Sequence, residues 1–80
     1  SRLISKKFYV QIISLRNEAK CKNFVDEYSE GNGIVYPVNL NGTMHYRGVI
    51  GPFNSWSEAN REKDRIINMG HYDVFIFREK

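Results

Sequence analysis

Long apolar runs are missing from this chain. No stretch approaches the ~18 apolar residues needed to cross a bilayer, and no signal-peptide pattern opens it. Cysteine is scarce: Cys21 is the single one, which rules out an internal disulfide. With only His45 and His71 beside it, Cys21 makes a poor metal set and reads as a small core residue. Basic residues come singly or in pairs, never in blocks. Twelve Lys and Arg against nine Asp and Glu give a net charge of +3, a mild lean toward anionic partners. The signs of catalysis are missing as well. There is no glycine-flanked nucleophile elbow and no pair of catalytic carboxylates, and Ser14, His45 and Asp73 do not make a triad. The expectation is therefore no enzyme, no catalytic residues, no metal and no cofactor.

What is present is globular. The 80 residues are 41% hydrophobic, 14% aromatic and 26% charged, the composition of one packed domain. A domain of this size buries only about 60–65% of its unfolded surface, so its stability margin is thin. The chain starts at Ser1 without a methionine and reads as a piece of something longer, whose missing part is the place for an anchor. Residues 1–7, "SRLISKK", read as a lead-in, either mobile or weakly docked, and 8–80 as the domain.

Period and punctuation predict the elements. Lys7 to Ile13 alternate and are rich in aromatic and β-branched types, a first strand. Asn17 caps a helix with Cys21, Phe24, Val25 and Tyr28 on one stripe, stopped by Gly31 and Gly33. Ile34 to Leu40 is a second strand, in which Pro37 removes a ladder donor and so belongs at a sheet edge. Asn41-Gly42 is a tight hairpin turn. Met44 to Ile50 is a third strand, broken by "GPF". Ser55 and Glu58 form a capping box that opens a second helix, with Ala59, Ile66 and Met69 inward, Glu62 and Lys63 interrupting that face, and Gly70 at its end. Asp73 to Arg78 is the fourth strand. The order β-α-β-β-α-β is the split βαβ arrangement, an α+β fold of the ferredoxin or RNP-like kind. Right-handed crossovers give an antiparallel sheet in the order 4-1-3-2, both helices on one face and the other face open.

Strand parity assigns that open face. Val10, Ile12, Tyr46, Ile50, Val74 and Ile76 face the helices, and Gly48 falls among them. Tyr9, Gln11, Ile13, His45, Arg47, Val49, Phe75 and Phe77 face out. Aromatic rings are thus set beside an amide, an imidazole and a guanidinium. Apolar groups clustered with hydrogen-bonding groups mark recognition surfaces. Sugars suit this mixture, which offers rings for their C–H faces and planar polar groups for hydroxyls and acetamides. Single-stranded nucleic acid asks for a similar one.

Three stretches resemble the SPOR domain, the sporulation-related peptidoglycan-binding module. "YVQIIS" is similar to the family's aromatic-x-Val-Gln-x-Gly-Ser pattern. "YRGVIGPF" is similar to its Tyr-Arg-x-x-x-Gly-Pro-Phe. "GPFNSWSEA" keeps the family's spacing ahead of a helix, "MGHYD" and a last strand. The resemblance covers Phe8 to Arg78. It implies the βαββαβ fold, and binding of peptidoglycan glycan strands stripped of stem peptides. It also implies a role in bringing a larger cell-envelope or division protein to the septum, in the periplasm or cell envelope. Carried over residue by residue, the family's binding positions fall on Gln11, Ser14, Arg47, His45 and Phe75. Tyr9 and Phe77 join them from the open face. The chain departs from the pattern at Ile13 in place of glycine, Leu15 in place of phenylalanine, Gly48 in place of a β-branched residue, and His45 in place of an aromatic. The implied partner is the denuded glycan strand; no nucleic acid and no membrane insertion by this stretch are expected, and a lone domain with polar helices points to a monomer.

Each site residue also has a plainer reading. Gln11 can be a solvated strand residue, Ser14 a turn cap, Arg47 an ion-pair partner, His45 a surface histidine, and Phe75 merely exposed. Trp56 reads as a packing residue of the second helix. The alternative function is an RRM-like single-stranded RNA binder, which shares the topology and the open face. Val49 and Pro52, however, stand where RNP1 wants aromatics. A small-molecule or protein-interaction module on the same scaffold is a third class.

Overall fold

The structure is a computed structural model, and it describes residues 2–80. The elements run β1 (Phe8–Leu15), α1 (Glu18–Tyr28), β2 (Gly33–Leu40), β3 (Thr43–Phe53), α2 (Trp56–Asn68) and β4 (Phe75–Arg78). One antiparallel sheet has the order β2-β3-β1-β4, as the crossover argument requires. Pro37 lies on edge strand β2 and is exposed, where its missing N–H leaves no ladder bond unmade.

The capping chemistry is the one legible in the sequence. The Lys20 N–H donates to Asn17 Oδ1 at 2.9 Å, and the Glu58 N–H to Ser55 Oγ at 3.2 Å. The Glu58 carboxylate accepts the Asn54 N–H at 3.0 Å, one residue beyond the usual capping-box partner, the N-cap Ser55. The hairpin closes on Asn41 and Gly42, both at positive φ (54° and 84°), the conformation that a two-residue primed turn demands.

The core between helices and sheet is built from Val10, Ile12, Val25, Ile50, Ala59 and Ile66, all buried. Cys21 is buried in α1, its thiol 3.3 Å from the Tyr46 carbonyl. Burial, and secondarily the charge of Glu18, push that thiol upward and keep it protonated. Val25 packs over two glycines. A Cβ at Gly33 or Gly48 would meet its methyls at 2.2 Å, so α1 lies closer to β2 and β3 than any side chain at those positions would allow. Glu62, which interrupts the inner face of α2, is held in place by Arg65. The Arg65 guanidinium donates to both Glu62 oxygens and to the Tyr28 carbonyl at 2.6 Å, tying α2 to the end of α1.

Several sequence expectations are corrected. β3 does not break at "GPF" but runs on to Phe53, with a register shift opposite Phe8 and Val10. β4 begins at Phe75 rather than Asp73, although Val74 still packs against the core. α1 ends at Tyr28 with Ser29 as its C-cap, before Gly31. Met69 and Trp56 are half exposed, not inward. Ile13 does not face out, for a reason that shapes the site. Among the described residues no helix is long and apolar enough to cross a membrane, and no cluster of His, Cys, Asp and Glu could hold a metal ion.

Candidate functional site

The site is organised by a bulge in β1. Gln11 pairs with Val49, but the next pair is Ile13 with Gly48, so β1 spends one extra residue there. An extra residue reverses parity beyond it. Ile13 therefore turns to the helix side and packs against the core, and Ser14 turns to the open side, directly opposite Arg47. Simple alternation placed Ser14 off the open face. The bulge brings it onto that face.

The same bulge reconciles two departures from the family's pattern. Ile13 and Gly48 are paired, and a Cβ on Gly48 would lie 2.9 Å from Ile13 Cγ2. The large residue at 13, with Val25, occupies space that the small residue at 48 gives up.

Register then defines the surface. Gln11 lies between Val49 on β3 and Phe75 on β4. Arg47 lies between Ser14 on β1 and Tyr36 on β2. A shallow cleft of about 570 Å³ is lined by Gln11, Arg47, Phe75, Phe77, Tyr36 and Leu3, together with residues 78–80. Phe75 is half exposed, and its ring centroid is 6.3 Å from that of Phe77. The cleft thus joins an aromatic wall to a guanidinium and an amide. The amide can donate and accept at once, and the guanidinium only donates.

Not every residue expected here lines the cleft. Tyr9 lies on the open side of β1 but is fully buried and, against expectation, offers no surface for contact. Its ring stacks on Phe77 at 5.8 Å and packs with Val49 beneath Leu3. The Tyr9 hydroxyl accepts the Ile4 N–H at 2.8 Å. Residues of the lead-in are thus docked. Leu3 is 8% exposed, the Arg2 guanidinium donates to the Val35 carbonyl at 2.9 Å, and Lys6 and Lys7 exchange backbone bonds with Glu79. His45 is on the open face opposite Val38 but outside the cleft.

Sequence reasoning missed Tyr36, and the signal for it was available. A two-residue turn at Asn41-Gly42 pairs Leu40 with Thr43, and counting back pairs Tyr36 with Arg47. Burial pushes the Tyr36 phenol up, while its hydrogen bond to Arg47 and the Arg47 charge pull it partly back. The phenol stays neutral at physiological pH, on the residue paired with Arg47 across the strands.

A βαββαβ sheet with one face covered by helices and a mixed aromatic and polar cleft on the other defines a class, the small sheet-surface binding module. The SPOR domain family model matches residues 4–78, and the chain belongs to that family. Two solved structures share its fold. The RlpA SPOR domain from Pseudomonas aeruginosa aligns with a TM-score of 0.74 at 19% identity, covering 89% of this chain and 97% of that one. The peptidoglycan binding domain of the B. subtilis cell wall lytic enzyme CwlC aligns with a TM-score of 0.69 at 22% identity, covering 100% of this chain and 99% of that one. Comparison with curated proteins finds no match.

Proposed function

We propose that this chain is a non-catalytic module that binds peptidoglycan glycan strands through the open sheet face, with preference for strands stripped of stem peptides. Membership of the SPOR family and the fold shared with a peptidoglycan binding domain support the ligand class. One observation carries the choice of surface: Gln11, Arg47 and Phe75 line a single open cleft, and the β1 bulge sets Ser14 beside Arg47. Gln11 and Arg47 supply hydrogen bonds to sugar hydroxyls and acetamides, Phe75 and Phe77 supply a platform for the C–H face of a ring, and Ser14 adds a hydroxyl. A shallow cleft accepts a polymer from the side, and a bare strand lies flatter on it than one carrying peptides. By this reading the domain acts as a monomer in the periplasm or cell envelope and brings a larger protein to the septum.

Co-sedimentation with purified sacculi, before and after amidase treatment, tests the reading. Binding that rises when stem peptides are removed is the expected result. No binding to either preparation, or binding to single-stranded RNA with a steep salt slope, contradicts it.

A further inference from the structure

We infer that His71 is a positioning residue for the glycan-binding face, holding the Ile12 carbonyl and so fixing the bulge that sets Gln11 and Ser14 on one surface. The inference rests on the reading of that face as the glycan site.

The β1–β4 ladder runs only as far as the pair Gln11 and Phe75. The next carbonyl along β1 belongs to Ile12, inside the bulged stretch between Gln11 and Ile13. His71 Nε2 lies 2.5 Å from that oxygen. A carbonyl only accepts, so Nε2 carries the hydrogen in this contact. A bulge interrupts the regular ladder and leaves backbone groups to find other partners. Here the partner comes from 59 residues away in sequence, from the turn that follows α2.

The imidazole is itself fixed. Its ring meets Phe24 edge-on at 5.0 Å and Tyr28 at 5.5 Å, and the two aromatic rings are 4.8 Å apart. Both belong to the apolar stripe of α1 and pack against the main core. Just before His71, the chain turns at Gly70 with φ +98°, a conformation open to glycine. His71 therefore links α1, the end of α2 and the bulge of β1 from behind the sheet. It does not line the cleft, so its effect on a ligand passes through the backbone of Ile12. Without the bond, β1 loses one reason to keep its extra residue at this position. A β1 that lost the bulge would pair Ser14 with Tyr46 in place of Arg47 and turn it to the helix side.

Two variants test this. His71→Phe keeps a ring between Phe24 and Tyr28 but removes the donor. His71→Gln restores an N–H at similar reach. Affinity for amidase-treated sacculi is measured well below each variant's melting temperature, beside amide NMR spectra of the free proteins. The expected result is a folded His71→Phe protein that binds roughly tenfold more weakly, with shifted Gln11, Ile13 and Ser14 amide signals, and recovery of most of the affinity in His71→Gln. A purely packing role lowers the melting temperature of His71→Phe without changing affinity or those amide signals, and that outcome overturns the inference. Loss of affinity in both variants without rescue by glutamine overturns it too. Wild-type protein that fails to bind sacculi overturns the glycan reading itself, and this role with it.

Discussion

The open face of the sheet has two halves that strand alternation treats alike and the structure treats differently. In one half, Tyr9 and Val49 are completely buried beneath Leu3, with Ile34, Tyr36 and Phe77 packed around them. In the other, Gln11, Ser14, Arg47 and Phe75 remain accessible. Both halves carry outward-pointing residues on the same central strands. The first is a second small core, closed by the lead-in, and the second is the proposed binding surface. Outward parity shows which face a side chain is on, and only the rest of the chain decides whether it meets solvent. The contrast also explains how so small a domain can carry an aromatic sheet face. Part of that apolar area is removed from water without a third helix.

Substitutions can break this contrast. Tyr9→Ala should have the largest effect on stability. It removes a wholly buried ring with its stacking partner Phe77 and its hydroxyl bond to Ile4, at a cost of about 3–5 kcal/mol. A denaturant melt reads this directly, and a cost below about 1 kcal/mol would mean that the covered half is not a core. Leu3→Ala should cost less, about 1–2 kcal/mol, since Leu3 is near the surface and the site can partly collapse. The same melt checks it. A change within about 0.5 kcal/mol would place Leu3 among ordinary surface residues.

Much of the fold was legible because its signals are local. Pro37 marked an edge, Asn41-Gly42 a hairpin, Ser55 with Glu58 a cap, and these with the crossover rule were enough for strand order. The site was legible in part. Gln11, Arg47 and Phe75 follow from alternation within unbroken stretches of strand. Ser14 and Ile13 do not, because a bulge changes parity without a compositional mark of its own: two isoleucines in a row are equally at home in a regular strand. Leu3 was not legible as a lid, since one leucine among charged and polar residues has no period to read. Tyr9 failed for the same reason, because its burial depends on Leu3 and not on β1. The pairing of Ile13 with Gly48 shows a further limit. Each residue looks like a defect when read alone, and their compensation exists only across the two strands.

Gln11 tests the central claim most directly, because it sits in the bare half next to the covered one. Its neighbours in register are Val49, which is buried, and Phe75, which is 51% exposed. Gln11→Lys replaces a group that donates and accepts with one that only donates, and adds a positive charge on the face that holds Arg47. Losing a net hydrogen bond costs about 0.5–1.5 kcal/mol, and stranding its desolvated partner about 1–3 more. At about 1.4 kcal/mol per decade that amounts to one to three decades of affinity. The lysine stem can lie along the apolar wall with its ammonium in water, so the fold should stand. The measurement is a co-sedimentation isotherm on amidase-treated sacculi beside a thermal melt of the same protein. An intact melt with affinity reduced at least tenfold is the predicted result, and an intact melt with wild-type affinity would contradict the assignment of the open sheet as the glycan site.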